Sequence, residues 1–346
     1  LRAKNMLSML TQVLVLASPA IVVWVTWGYS VAFSGSNPFF GDLSTAFLAG
    51  ITPDSVSGTI PEYVFVSFQA TFAAITLALA LGSLAERAKF SGLLVFGLIW
   101  LTIVYFPMAH MVWSGDGFFA SRGALDFAGG TVVHINAGVS GLVGALIVGK
   151  RLGFPQEPMP PHSLTMTLIG TSLLWVGWFG FNAGSAAAAN GTAGLAMINT
   201  FTATAAAALA WFFAEKLSGR KWTLLGACSG VIAGLVAITP AAAFAGPFDA
   251  IVLGAVASVG AYIFVSYIKP KLGFDDTADV FGIHGVAGII GSIGVAFTMA
   301  PGLGGPGDAD YTIGGQIGTQ LFATAVAIAW AAIGSAIAFM IAKYTV

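Results

Sequence analysis

Asp126-Phe-Ala-Gly-Gly-Thr-Val-Val-His134-Ile-Asn-Ala-Gly138 and Asp279-Val-Phe-Gly-Ile-His284-Gly-Val-Ala-Gly288 are the two stretches whose likeness decides the fold. Each sets a histidine shortly after an aspartate, near the start of a long apolar run. A titratable ring in hydrocarbon is costly, and it lines a path or a site rather than facing lipid. Two of them in similar local sequence, about 150 residues apart, point to a duplicated unit with one polar spot per copy.

Composition sets the environment. Only 8% of the 346 residues are charged, 57% are hydrophobic, and the mean hydropathy is +0.90. A soluble domain carries roughly 25% charged residues, so this is an integral membrane protein. The net charge of −1 leaves too few charges for a nucleic-acid-binding patch. The single Cys228 excludes a disulfide framework and any multi-cysteine metal or iron–sulfur site, and it reads as a small buried residue. No metal or other cofactor is expected. The chain opens at Leu1, and Arg2 and Lys4 lead straight into apolar sequence without a signal-peptide cleavage site, so the natural N-terminus is expected to lie further upstream.

Runs without charge locate the crossings, each of about 20 residues. They are 6–33, 63–85, 90–115, 127–149, 163–214, 222–248, 250–268, 280–307 and 311–342. The 163–214 run holds two crossings, with Asn190-Gly191 as the turn between them, giving ten spans in one domain over 1–346. Segment 34–62 is too rich in Gly, Pro, Ser and Asp to cross and reads as a long external loop. With this count, 12 of the 13 Lys and Arg residues fall on one side and only Arg122 on the other. The positive-inside rule then predicts that both ends of the chain are cytoplasmic. No lysine sits in mid-span and there is no arginine ladder, which excludes a retinal-type Schiff base and a voltage sensor.

The two histidine segments open spans four and nine. An offset of five spans reverses a repeat relative to the membrane, the arrangement of transport folds whose site lies at the repeat interface near mid-membrane. The reading is therefore an all-α polytopic fold of inverted five-helix repeats, with ten spans present of an expected eleven. Helices entering from opposite faces bring His134 and His284 to similar depth. Two neutral imidazoles can share one hydrogen bond, whereas burial and mutual repulsion disfavour a doubly charged pair. Such a pair could bind a small neutral solute or relay a proton. Packing histidines satisfied by carbonyls are the blander alternative, and His110 and His162 are expected to be of that kind. Paired haem ligands are a further alternative, from another class of protein. Asp126 is expected to cap span four and to place negative charge at the outer mouth, and Asp279 is expected to be its inner counterpart. Phe68 and Phe72 share a helix face, and Trp113 stands at a span end where interfacial tryptophans are common.

Longer strings carry a family resemblance. Asn5-Met-Leu-Ser-Met-Leu-Thr-Gln12, Ala109-His-Met-Val-Trp113, Gly123 to Asn136, Gly177-Trp-Phe-Gly-Phe-Asn-Ala-Gly-Ser185 and Asp279 to Gly285 resemble the ammonium transporter family, above all its bacterial members, over essentially the whole chain. The resemblance implies eleven spans, a homotrimer with one pore per subunit, and residence in the cell membrane. It also implies an outer ammonium site from Phe68, Phe72, Trp113 and Ser185, shaped by Asp126. Below that site it implies a gate of Phe72 and Phe181, a twin-histidine pair of His134 and His284, and a path lined by Trp178 and Thr239. Rhesus-type gas channels typically lack the outer tryptophan, so Trp113 with Ser185 favours the ammonium transporter branch. By the same resemblance, a first helix and a cytosolic tail through which relatives engage a PII-type regulator are expected to lie outside this sequence.

Ammonium matches potassium in size and charge but donates hydrogen bonds and can lose a proton. An aromatic cup can collect the cation by cation–π attraction, and an apolar pore then rejects whatever stays charged. The sequence reading is capture, deprotonation near Phe72 and Phe181, passage of ammonia past the histidines, and reprotonation inside. A sensor that binds ammonium without flux is the rival.

Overall fold

The computed structural model describes residues 2–346, and ten helices among them are long and apolar enough to cross a membrane. They are α1 (Ala3–Phe33), α2 (Glu62–Gly82), α3 (Phe90–Trp113), α4 (Gly130–Val148), α5 (Leu164–Gly184), α6 (Gly191–Leu217), α7 (Leu224–Ala241), α8 (Pro247–Leu272), α9 (Phe281–Thr298) and α10 (Ile313–Thr345). The long charge-free run divides as expected: Asn190 caps α6 by accepting from the Ala193 N–H at 3.1 Å. The 280–307 run is shorter than expected, because the helix stops at Thr298 and the Gly- and Pro-rich remainder forms a loop. Segment 34–62 does not cross, and holds one antiparallel ribbon pairing Val56–Ser57 with Ile60–Pro61.

Two apolar cores stand side by side. One gathers Leu16, Trp24, Phe72, Phe96, Trp100 and Tyr105 from α1–α3 with Val139 of α4, and α10 packs onto it through Ala327, Ala331 and Phe339. The other gathers Trp178, Ala203, Trp211, Leu235, Leu253, Tyr262 and Ala287 from α5–α9. This division is what a duplicated unit requires. A second signature is helical irregularity at matching places. Widened π-helical turns interrupt α3 at Leu101–Tyr105 and α8 at Phe264–Ile268, and they open α4 at Gly130–Ile135 and α9 at Phe281–Val286. Each pair is five spans apart. Such turns are uncommon and gather at functional sites.

The halves meet where glycine lets backbones touch. A Cβ on Gly138 would lie 2.5 Å from the Gly285 nitrogen, and one on Gly288 would lie 3.2 Å from the His134 Cβ. Each of these glycines follows its own copy's histidine by four residues, so it faces the other helix at the same level. Small residues at that crossing are what bring the two rings within reach.

At the lysine-rich face, three loops are tied by charge. Arg151 donates to both Asp275 oxygens, at 2.9 and 2.8 Å, and reaches Glu86 at 3.5 Å. Arg87 donates to the Gly149 carbonyl and the Thr277 hydroxyl, each at 2.7 Å, and also to the Asp275 carbonyl. Burial pushes the Asp275 carboxyl up, but hydrogen bonds and charge from Arg151 outweigh it and hold the group below the ordinary carboxylate range.

Candidate functional site

Asp126 organises the lysine-poor mouth. Its Oδ1 accepts from the Gly129 and Gly130 N–H groups at 2.9 and 2.6 Å, and its Oδ2 from Thr131 and Val132 at 2.8 and 3.1 Å. A helix start leaves its first N–H groups without intrahelical partners, and one carboxylate here answers four of them. Gly129 turns the chain at φ 110°, a conformation that a side chain would strain. Burial raises the Asp126 pKa to about 6, with the four N–H donors pulling the other way.

The expected inner counterpart is corrected. Asp279 caps nothing: it pairs with Lys269 at 2.5 Å, and its backbone sits at φ 55°. Asp276 is the cap, its two oxygens accepting from Val280 at 3.0 Å and Phe281 at 2.8 Å. The duplicated motif is therefore an aspartate eight residues before the histidine in both copies, Asp126 with His134 and Asp276 with His284. The looser sequence match had drawn attention to the wrong carboxylate, since Asp275, Asp276 and Asp279 compete within five residues.

Beside Asp126 lies a cavity of about 150 Å³ lined by Phe65, Phe68, Gln69, Trp113, Phe127 and Ser185, among others. The Trp113 indole donates to the Asp126 carbonyl at 3.0 Å, which fixes its plane across the cavity wall. Ser185, at the end of α5, donates its hydroxyl proton to the Phe181 carbonyl at 2.8 Å. Its lone pairs are left to accept from anything in the cavity. Phe72 stands edge-on to both Phe68 and Trp113, with centroids 4.8 and 5.7 Å away. It stacks on Phe181 at 4.2 Å, so this pair lies behind the Phe68 and Trp113 rings that line the cavity.

Beyond the stacked pair come the histidines. His134 and His284 face each other through their Nδ1 atoms at 3.3 Å, with ring planes 29° apart. One ring must donate and the other accept. Two metal–imidazole bonds of roughly 2 Å placed in line need about 4 Å between the nitrogens, so the geometry suits a hydrogen bond and not a haem iron. His134 is fully buried, stacks 5.2 Å from Trp178 and 5.9 Å from Phe181, and its Nε2 has no partner within the protein. The Trp178 indole donates to the Thr239 hydroxyl at 2.9 Å, and that hydroxyl donates to the Leu235 carbonyl at 2.7 Å. Thr239 thus sets the plane of Trp178, which in turn backs His134.

His110 is a packing histidine. It lies buried at the end of α3 with its ring nitrogens 3.0 and 2.5 Å from the Ala32 and Asn37 carbonyls, pinning the long loop to α3. His162 is exposed in the loop before α5. Sequence reasoning missed Gln69, the polar side chain of α2 between Phe68 and Phe72. The one glutamine in a span otherwise made of apolar and hydroxyl-bearing residues after Glu62 is the available signal.

Fold and site together define a polytopic membrane protein built from inverted repeats, with an aromatic cup, a phenylalanine pair and a buried histidine pair in series. The model of the Ammonium Transporter Family matches residues 1–346. The chain is 45% identical to an ammonium transporter of Aquifex aeolicus, over 98% of this chain and 80% of that one. It is 47% identical to one from Bacillus subtilis, over 84% and 72% of the two chains. Among solved structures, Saccharomyces cerevisiae Mep2 aligns with a TM-score of 0.84 at 39% identity, covering 93% of this chain and 76% of that one. A sensor Amt protein aligns with a TM-score of 0.91 at 27% identity, covering 99% and 86%. The chain belongs to the ammonium transporter family, whose members are transporters and not enzymes.

Proposed function

We propose that this protein moves ammonium across the cell membrane by collecting the cation outside and conducting it inward as ammonia. The observation that carries this reading is the stacked Phe72–Phe181 pair standing between the aromatic cavity and the buried histidines. Phe68, Phe72 and Trp113 offer π faces to a weakly hydrated cation. Ser185 accepts one of its hydrogen bonds, and Asp126 shapes the mouth while adding negative charge. An ion that kept its charge beyond the phenylalanines would enter apolar surroundings at prohibitive cost. Ammonia, once its proton has passed to water in the outer cavity, can pass hydrogen-bonded from His134 to His284 along the wall that Trp178 and Thr239 form. Reprotonation follows on the cytosolic side.

Reconstitution in liposomes tests this. Ser185→Ala and Trp113→Leu should each raise the ammonium concentration for half-maximal uptake by about tenfold, the worth of one hydrogen bond or one cation–π contact. An unaltered concentration dependence in both folded variants would remove the outer site. Ammonium sensing without flux is the second reading, favoured by the likeness to the sensor Amt protein. Saturable flux in wild type decides against it.

Orientation and assembly belong to the same proposal. With 12 of 13 basic residues on one face, that face and both ends of this chain are placed in the cytoplasm. Cysteines replacing the exposed Leu152 and Ser218 should be labelled only from the cytosol, and one replacing Ser36 only from outside. Labelling of all three from one side would overturn the topology. Of the residues of α5, only Thr171, Trp178 and Asn182 are buried. The apolar face this leaves suits lipid or a neighbouring subunit, and the homotrimer itself is carried over from the family resemblance. A PII-type regulator acting from the cytosol is the partner the family resemblance implies.

A further inference from the structure

One polar group in the outer cavity has no assigned task. Gln69 lines the cavity together with Ser185 and Trp113, and only 7% of its surface is exposed. Its amide oxygen is buried without a hydrogen-bond partner in the protein. A buried amide left unpaired in an apolar span is destabilising, and natural interiors keep such groups only where something else satisfies them. The other polar side chains nearby are spoken for: Trp113 donates to the Asp126 carbonyl and Ser185 to the Phe181 carbonyl. No intramolecular bond fixes which way the Gln69 amide faces, so rotation about its last side-chain torsion can turn the oxygen to a cation.

We propose that Gln69 is a second hydrogen-bond acceptor for ammonium in this cavity, opposite in character to the aromatic faces and complementary to Ser185. This rests on the outer-site reading given above. Ammonium carries four N–H donors in a tetrahedron. Ring faces answer some of them only electrostatically, whereas an amide carbonyl is a strong, directional neutral acceptor. Methylammonium replaces one donor with a methyl group, so it has fewer N–H bonds to lose and gains from apolar contact. Gln69 thereby favours ammonium over its methylated analogue, a discrimination that aromatic faces alone supply poorly.

The test is uptake into liposomes as a function of ammonium and of methylammonium concentration, for wild type, Gln69→Met, Gln69→Glu and Ser185→Ala. Gln69→Met keeps length and volume but removes the oxygen. It should raise the ammonium KM by roughly tenfold or more, raise it more than it lowers the maximal rate, and shift the methylammonium KM less. Gln69→Glu restores an oxygen and should return the ammonium KM to the wild-type value or below. A Gln69→Met protein with unchanged ammonium KM, or with both KM values raised equally and Gln69→Glu no better, would overturn the proposal and leave Gln69 a packing residue. Should Gln69→Met fail to fold, Gln69→Glu alone decides, because an ammonium KM raised above the wild-type value by the carboxylate refutes the contact. A Ser185→Ala variant that shifts KM while Gln69→Met does not refutes only this inference. If neither shifts KM, the outer site itself is wrong.

Discussion

Replacing His134 with aspartate should turn the pore into a path for potassium. In the wild type, the two imidazoles spend one nitrogen each on their mutual bond at 3.3 Å, and the remaining His134 nitrogen is buried without a partner in the protein. Such a wall can pass ammonia but has no full charge to replace an ion's hydration shell. A carboxylate in the same fully buried position supplies that charge, where burying an unpaired ion otherwise costs several kcal/mol. A few kcal/mol correspond to a change of two or more orders of magnitude in ion occupancy, so potassium current should rise from background to a readily measured level. Discrimination between ammonium and potassium should fall with it. The measurement is potassium flux in wild type and His134→Asp, with folding checked by stability of the assembly in detergent. A folded variant that still excluded potassium would place selectivity at the Phe72–Phe181 pair instead.

The second large effect is structural. Asp126→Ala removes the acceptor for four buried N–H groups at once. Each orphaned donor costs about 1–3 kcal/mol, so most of the protein should fail to reach a stable fold. Asparagine caps isolated helices well, yet here it should fall between alanine and aspartate. Its one carbonyl oxygen can keep Gly129 and Gly130, but its NH₂ group would confront the N–H donors of Thr131 and Val132. Thermal unfolding of the three proteins in detergent should therefore rank aspartate, asparagine and alanine in falling order. Equal stability of Asp126→Asn and wild type would show that the two-oxygen cap is not what holds the mouth. Transport, compared per folded molecule, then reads the contribution of charge separately.

Much of this was legible because membranes constrain sequence harshly. Nine charge-free runs, one of them long enough for two crossings, revealed ten spans, and a single exception among the basic residues, Arg122, gave the alternation. The histidine pair announced itself as polar groups where hydrocarbon should be. What periodicity and composition could not supply was register. The exchange of Asp279 for Asp276 turns on the backbone of a single turn, with Asp279 at positive φ and Asp276 reaching Val280 and Phe281. The outer-site aromatics were identified through resemblance, since 27 phenylalanines dilute any pattern among them. Gln69 shows in the sequence only as a glutamine within a charge-free run, and the missing partner of its amide oxygen is visible only in the fold. The Thr239–Trp178 bond joins residues 61 apart in the chain, and only packing brings them together.

The antiparallel pairing of the two Asp-to-His units has a kinetic meaning. Read from either leaflet, the middle of the pore presents the same succession of cap, widened turn, histidine and glycine. The repeated backbone gives no direction of travel by itself, although Trp178 and Phe181 back His134 alone. Any difference between inward and outward rates must be written in such side chains and at the ends, where symmetry is broken. One mouth carries an aromatic cup with Trp113 and Ser185, and the other carries the bridged loops of Glu86, Arg151 and Asp275. Engineering a bias toward import or efflux is thus a matter of rebuilding a mouth, with the centre left alone.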